Sequence, residues 1–142
     1  MRVSERNPAL AEKIRQMRLT IAPILHVSTG LPPPHFPPTI LQLFLLTEPQ
    51  LDSFASFYSQ TSPSSPHFYA YPQTMDFSRP FLSTDPNLPD DCKLNDFERL
   101  KVKMRMFAKF IGMRGAETPR WEYEKQVELL GRKIEWMVKE EE

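Results

Sequence analysis

Three basic residues recur at every fourth position in the last third of the chain: Lys101, Arg105 and Lys109. On an α-helix this spacing places the three side chains along one edge, because residues four apart lie on the same face. Such a row can follow the phosphates of a nucleic acid, and nucleic-acid contact is therefore the alternative function of the chain. The simpler interpretation is that the row forms ion pairs with acidic residues of a neighbouring helix. Acids available downstream are Glu117, Glu122, Glu124 and Glu128.

Acidic residues and histidines in the middle of the chain do not form a catalytic motif. The sequence contains no Gly-x-Ser-x-Gly elbow, no glycine-rich phosphate loop and no His-Glu-x-x-His pair. The nearest approach to an acid–base cluster comprises His67, Asp76, Asp85, Asp90 and Asp91. These aspartates lie among prolines, where aspartate commonly forms turns. We therefore assign no catalytic residue and place a small enzyme of unknown reaction third among the candidate functions.

Cys92 is the only cysteine of the chain, so it cannot form an intrachain disulfide. Structural zinc sites require cysteine or histidine ligands in closely spaced pairs. The three histidines, His26, His35 and His67, are scattered along the chain and lack this spacing. The sequence therefore predicts neither a metal site nor a bound cofactor.

The helix that carries the basic row is predicted to be apolar on two opposite faces. One face contains Phe97, Leu100, Met104, Phe107 and Ile111. The opposite face contains Val102, Met106 and Phe110. A single neighbouring helix covers only one of these faces, and an exposed apolar row on a folded chain promotes association. The second face must therefore be covered either by another segment of the same chain or by a protein partner, which includes a second copy.

Two tryptophans add to the candidate partner-binding set. Trp121 and Trp136 lie fifteen residues apart on the last predicted helix, beside its main apolar stripe rather than within it. At such positions they either widen the core or anchor a partner, because tryptophan contributes strongly to both kinds of contact. The candidate partner-binding residues are Val102, Met106, Phe110, Trp121 and Trp136.

Two amphipathic helices in residues 93–142 must position these side chains. Asn95 or Asp96 caps the first helix, and Thr118-Pro119 starts the second after a glycine-containing connection. The apolar positions of the second helix are Tyr123, Val127, Leu130, Ile134 and Met137. A short connection between two such helices predicts an antiparallel hairpin. The facing pairs of that hairpin would be Phe107 with Tyr123, Met104 with Val127, Leu100 with Leu130, and Phe97 with Ile134.

The rest of the chain divides into an N-terminal helix and a proline-rich middle. Residues 1–22 indicate one helix with Asn7 as its N-cap. Residues 23–92 contain thirteen of the fifteen prolines of the chain, which precludes long helices there. In this middle we predict two short helices near residues 39–59, the first starting at Pro38-Thr39 and the second at the N-cap Thr47. We also predict one or two short strands, and otherwise irregular structure. The candidate strands are Ile24-Leu25-His26-Val27 and the segment from His67 to Tyr71.

Composition supports a mainly helical, single-domain chain. The 142 residues include only four glycines, fewer than the turns of a β-barrel usually require. Eighteen basic and eighteen acidic residues give a formal net charge of zero, which removes the net positive field that attracts nucleic acids and anionic membranes. The longest apolar run, from Ile40 to Leu46, is too short to cross a bilayer, so we expect no membrane insertion.

No signal-peptide pattern stands at the start of the sequence, so we expect an intracellular protein, cytoplasmic or nuclear. Basic residues near the start are typical of a mitochondrial transit peptide, but Glu5 and Glu12 argue against one, and import is kept as an alternative. These features together predict a non-catalytic helical interaction module or a small subunit of a larger protein assembly. Its expected partner is another protein or a second copy of the chain.

Overall fold

The computed structural model describes residues 3–141, and this part of the chain is mainly helical, as predicted. The helices are α1 (Val3–Arg6), α2 (Pro8–Met17), α3 (Ile40–Phe44), α4 (Glu48–Phe57), α5 (Asp96–Phe110) and α6 (Arg120–Glu141). Short 3-10 turns occur at Phe68–Ala70, Pro80–Leu82 and Asp90–Cys92. The described residues contain no strand, so the predicted short strands are not confirmed. Backbone pairing of the β type among the described residues is limited to one isolated antiparallel bridge between Thr20 and Thr39.

The N-terminal segment is helical but not continuous. Asn7 caps α2 as predicted, and its side-chain oxygen accepts a hydrogen bond from the Leu10 N–H at 3.2 Å. Because this N-cap residue takes an extended backbone, with φ −128° and ψ 96°, it separates α1 from α2. Helix α2 then ends at Met17. The prediction of one helix over residues 1–22 is therefore corrected to two shorter helices within the described residues.

Helices α3, α4 and α5 begin where the sequence predicts. Thr39 is the N-cap of α3. At the start of α4, the Thr47 N–H donates a hydrogen bond to the Gln50 side chain at 2.9 Å. Asn95 and Glu98 form a capping box at α5, in which each side chain accepts a hydrogen bond from the other residue's backbone N–H. The chemistry of the caps therefore determines these helix starts locally.

The first hydrophobic core lies between α4 and α5. Phe54 of α4 stacks on Phe107 of α5, with ring centroids 5.0 Å apart and ring planes at 12°. Tyr58 packs on Phe110 with ring centroids 4.8 Å apart, and all four rings are buried. Other buried members of this core are Leu43, Leu46, Leu51, Tyr71 and Met75. The main apolar face of α5 therefore packs on α4 and not on the helix that follows it in the chain.

An ion-pair cluster clamps the same two helices together. The Glu48 carboxylate accepts hydrogen bonds from Arg99 Nε at 2.5 Å and from Arg99 Nη2 at 2.8 Å. Lys103 Nζ lies 2.9 Å from Glu48 and 2.7 Å from Asp52. The Arg99 hydrogen bonds, helped by Lys103 and opposed by partial burial, lower the pKa of Glu48 to about 2. The charge of Glu48 is therefore part of what holds α4 on α5.

A second core lies between α5 and α6 and is filled by the middle of the chain. Val102 and Met106 of α5 pack with Leu82 and Leu94, which belong to the segment preceding α5, and with Leu129 of α6. All five side chains are buried. The second apolar face of α5 is thus covered by other segments of the same chain.

Helix α6 turns a different face toward the chain from the one that the hairpin prediction requires. The residues expected to pack on α5 are all between 54% and 73% exposed: Tyr123, Val127, Leu130, Ile134 and Met137. Phe97, at the outer end of the predicted hairpin, is 67% exposed. The predicted pairs of Phe107 with Tyr123, Met104 with Val127, Leu100 with Leu130, and Phe97 with Ile134 are therefore wrong.

Two physical reasons account for this difference. Helix α4 already covers the face of α5 that carries Phe107, so this face is closed to α6. Leu82 and Leu94 occupy the space between α5 and α6, and Leu129 completes that core from the α6 side. Leu129 lies about 100° from Leu130 and about 140° from Ile134 around the helix, so the orientation that buries Leu129 leaves the other two exposed.

Two tyrosine hydroxyls attach the proline-rich segment to the first core. The Tyr58 hydroxyl donates to the Ile24 carbonyl at 2.5 Å, and the Tyr71 hydroxyl accepts from the Val27 N–H at 2.8 Å. The segment just before Tyr71 forms the 3-10 turn Phe68–Ala70. These predicted strand positions therefore bond to side chains or within turns and have no neighbouring strand.

Truncating the two cores should distinguish the observed packing from the predicted hairpin. Phe107→Ala removes a fully buried ring, so we expect it to lower the free energy of unfolding by about 3–5 kcal/mol. Leu130→Ala alters an exposed side chain and should change this free energy by less than about 0.5 kcal/mol in dilute solution. Urea unfolding followed by circular dichroism measures both changes. Equal losses in the two variants would contradict the described packing of α6.

Acid should weaken the clamp between α4 and α5. Folding lowers the pKa of Glu48 from 4.5 to about 2, so its stabilising contribution is complete above pH 4.5 and is lost as the pH falls toward 2. We expect the free energy of unfolding to fall more steeply over that range in the parent chain than in Glu48→Gln. Glu12→Gln, which alters an exposed carboxylate paired with Arg15, is the control and should keep the parental slope. Parallel slopes for the parent and Glu48→Gln would refute this role of Glu48.

Candidate functional site

Arg105, the middle member of the predicted basic row, is committed to an internal ion pair. Its Nε lies 2.7 Å from Oε1 of Glu122, a carboxylate that is 1% exposed. Arg105 Nη1 also donates to the Ala116 carbonyl at 3.4 Å. A buried carboxylate without a cationic partner is strongly destabilising. Arg105 therefore holds the start of α6, and the connection before it, against α5.

The other two members of the row also contact their own chain. The Lys101 ammonium lies 4.7 Å from the centre of the Trp121 ring and 5.3 Å from the centre of the Phe97 ring, within cation–π range. Lys109 Nζ lies 3.5 Å from Glu117. Arg105 and Lys109 therefore have acidic partners, as the simpler interpretation expects, whereas Lys101 contacts aromatic rings instead; nucleic-acid contact stays a prediction.

The structure brings the candidate partner-binding residues of α5 into the interior. Val102, Met106 and Phe110 are buried, the first two in the second core and Phe110 beneath Tyr58. Of the two alternatives that the sequence leaves open, the structure shows the first: other segments of the same chain cover these side chains. These segments are the one preceding α5 and the α3–α4 region. In this conformation the three side chains are not available to a partner.

Both candidate tryptophans lie on the inward side of α6. Trp121 packs at the edge of the second core and beneath the Lys101 ammonium. Trp136 is partly buried and lies on the same side of the helix as Leu129. For Trp121 the observed placement is therefore the alternative in which the ring widens the core face, whereas a partner-binding role for Trp136 stays a prediction.

Two of the aspartates considered for catalysis are used in local turns. The Asp76 carboxylate accepts a hydrogen bond from the Ser78 N–H at 3.1 Å, and Asp85 accepts one from the Asn87 N–H at 2.9 Å. Both aspartates therefore form the local turns expected of them. The His67 ring packs edge-on against another histidine ring, with centroids 5.5 Å apart. Residues 3–141 contain no group of three or more His, Cys, Asp or Glu side chains arranged to hold a metal ion.

Cys92 is buried beside the C-terminal half of α6. Burial raises the pKa of its thiol, and the neighbouring Asp91 adds to the effect. The reactive form of cysteine is the thiolate, which this environment disfavours. Cys92 therefore acts as a small apolar core residue in the folded chain.

An apolar cavity of about 360 Å³ lies between the end of α3, α5 and the connection to α6. Phe44, Met104, Ala108 and Met113 are among its lining residues. The cationic groups Lys101 and Arg105 at its wall are held by aromatic rings and by a buried carboxylate, respectively. Arg114 is the remaining charged residue of its lining, and a single such cation does not make the convergent set of polar groups that orients a small ligand.

The outward face of α6 carries a row of large apolar side chains that are exposed. We name this face the α6 seam and define it by Tyr123, Val127, Leu130, Ile134 and Met137. Successive members are four or three residues apart, so the seam runs along one side of the helix for most of its 22 residues. Val138, which is 51% exposed, borders it.

Polar contacts on the opposite side of α6 fix the outward orientation of the seam. Besides the buried Glu122, Lys125 Nζ lies 3.5 Å from Glu98 of α5. Farther along, Arg132 donates to the Asp91 carbonyl at 3.0 Å and Lys133 donates to the Pro80 carbonyl at 3.2 Å. These contacts, together with Leu129, are distributed along most of the helix. Rotating the seam inward would break all of them.

The seam was visible in the sequence, but its partner was assigned incorrectly. Its regular spacing predicts an apolar helix face, but the expectation that α5, the neighbouring helix in sequence, covers this face is wrong. Two signals on the other side of α6 argue for the observed orientation. Leu129 is a large apolar residue outside the stripe, and Glu122 stands where it can reach Arg105.

Among the helices of residues 3–141, none is both long and apolar enough to cross a lipid bilayer. No family model matches the sequence, and comparisons with curated proteins and with solved structures find no significant similarity. The function must therefore be inferred from the chemistry of the chain itself.

Removing Arg105 should destabilise the chain more than removing any other member of the basic row. Arg105→Ala leaves the buried Glu122 without its partner, and we expect a loss of about 3–5 kcal/mol in the free energy of unfolding. Lys109→Ala breaks an exposed ion pair and should cost less than about 1 kcal/mol. The double variant Arg105→Met, Glu122→Gln removes both charges and should recover part of the loss. Urea unfolding measures all three, and similar losses for Arg105→Ala and Lys109→Ala would disprove the anchoring role.

Proposed function

We propose that this chain is a non-catalytic helical interaction module that binds another protein through the α6 seam. The observation that carries the proposal is the exposure of five large apolar side chains in one row on a folded chain. A fully exposed large side chain presents on the order of 150–200 Å², so the seam offers on the order of 600 Å² of mostly apolar surface. Contiguous apolar patches of this size mark interaction sites on folded proteins.

The rigidity of the seam supports binding by docking. The inward face of α6 is held by Glu122, Leu129, Arg132 and Lys133, so the seam is presented in one orientation. A preformed helix face lets a partner bind without first ordering the helix, which reduces the entropic cost of association. An amphipathic helix with anchors three and four residues apart is also a common mode of protein recognition.

The electrostatics of the chain favour a protein partner over a nucleic acid. Arg105 is tied to a buried carboxylate, and Lys101 lies over two aromatic rings. Engaging phosphates with this row would require breaking contacts that stabilise the fold. The described acids at Asp76 and Asp85 are likewise used in turns, which supports a binding role over a catalytic one.

Site-specific photo-crosslinking in the native cell tests this proposal. We expect Leu130→p-benzoylphenylalanine, in the middle of the seam, to form covalent adducts with protein on irradiation, because its side chain then contacts the partner. Glu135→p-benzoylphenylalanine, on the exposed polar side of the same helix, is the matched control. Adduct formation at Leu130 that does not exceed that at Glu135 would overturn the proposal. Mass spectrometry of the adduct identifies the partner.

A further inference from the structure

We infer that the partner of the α6 seam is the α6 seam of a second copy of this chain, paired parallel and in register. This inference rests on the proposed function, because it names the occupant of the same surface. Its evidence is the kind of residue found at each seam position, the charge at the flanks of the seam, and the exposure of the five seam side chains.

The seam has the residue pattern of a two-stranded parallel coiled coil. Its spacing of four, three, four and three residues places Val127 and Ile134 at the a positions of a heptad, with Leu130 and Met137 at d. β-Branched residues at a combined with leucine at d favour two parallel helices, because of how each side chain enters the opposite helix. Tyr123 occupies the preceding d position. A second α6 in register therefore pairs every seam residue with its own equivalent.

Charges at the flanks are compatible with the parallel, in-register pair. In such a pair, position g of one helix faces position e of the following heptad in the other helix. This places Gln126 opposite Gly131, and Lys133 opposite Val138. No two like charges therefore meet at these flanking positions; at the two ends of the helix, Arg120 and Glu141 occupy the outer a positions and face their own equivalents.

The antiparallel alternatives are less favourable. Aligning Leu130 with Ile134 of the other copy in antiparallel fashion brings Lys133 against its own equivalent, and facing like charges are destabilising. The other antiparallel alignment, with Val127 against Leu130, places Met137 against Arg120 and leaves the last apolar residue without an apolar partner.

Gly131 gives a further indication of a close neighbour beside the seam. Glycine inside a helix costs about 1 kcal/mol relative to alanine. The chain itself does not require glycine here, because a Cβ at this position would meet nothing within 4 Å. Gly131 lies between Leu130 and Ile134 on the e flank, where a bare backbone leaves room for the opposite helix.

The area and shape fit a dimer of modest affinity. A helix of 22 residues is about 33 Å long, which accommodates three heptads. Two seams would bury on the order of 1,200 Å² in total, at the lower end of the range for specific interfaces. Glu122, Leu129 and Arg132 attach the body of each copy to α6 away from the seam, and the segment at Pro80 and Phe81 borders the seam beside Leu130.

Sedimentation of the full chain over a concentration range tests the inference. We expect the parent to shift from monomer to dimer between about 1 µM and about 200 µM. Leu130→Gln should weaken the dimer at least about tenfold while keeping the helical circular dichroism spectrum, since this side chain is exposed in the monomer. The matched control is Glu135→Gln, which introduces the same amide side chain at an exposed position outside the seam and should leave the dimer unchanged.

A cysteine placed near the end of the seam tests its direction. Met137→Cys should form an interchain disulfide on mild oxidation with diamide, because the two equivalent residues meet only when the helices are parallel. The native Cys92 is buried and does not compete. A dimer that forms no disulfide through Met137→Cys would overturn the parallel register.

The outcomes separate this inference from the proposed function. A parent chain that stays monomeric at about 200 µM, or a dimer that Leu130→Gln leaves intact, overturns self-pairing through the seam. If Leu130→p-benzoylphenylalanine then still forms adducts with a different protein, the proposed function stands with another occupant. If it forms none, both fail.

Discussion

A carboxylate that is 1% exposed determines how the C-terminal helix sits on this chain. Glu122 is buried in the first turn of α6, and the cost of burying its charge is offset by Arg105 at 2.7 Å. Once that pair forms, the rotation of α6 about its own axis is fixed. Leu129 and the cations near the end of the helix then meet the rest of the chain, and the apolar stripe faces outward. One ion pair thus separates the inner from the outer face of the helix.

Ion pairs perform a similar positioning role at α4 and α5. Glu48 bridges Arg99 and Lys103, and the aromatic stack of Phe54 on Phe107 lies between the same two helices. Apolar packing supplies the area buried, whereas the charged pairs define which faces meet.

Local chemistry explains which parts of this fold could be predicted. Asn7, Thr39, Thr47 and Asn95 mark helix starts because a cap acts over three residues, and the sequence within that window contains all the information needed. The spacing of the α6 seam predicted an apolar face for the same reason. What covers each face depends on contacts distant in sequence, such as Leu82 inserted beside Leu129.

The candidate site residues also differ in how far the sequence could predict their contacts. The ion-pairing interpretation of the basic row had the right acid among its candidates, because Glu122 lay within one short connection of Arg105. The partner-binding role assigned to Val102, Met106 and Phe110 needed knowledge of the segments that cover them, which no periodicity of α5 contains. The proline-rich middle was the least predictable region, since its backbone is held by single hydrogen bonds such as that from Tyr58 to Ile24.

The contacts that close the fold have a consequence for how the chain is made. Glu48 meets Arg99 across 51 residues, and Lys133 meets the Pro80 carbonyl across 53. Chains whose contacts are this distant fold more slowly than helical bundles with local contacts, because a long loop must close first. During synthesis on the ribosome, the apolar face of α4 therefore stays uncovered until α5 has emerged. During that interval Leu51 and Phe54, which are buried in the folded chain, lack the cover that α5 later supplies.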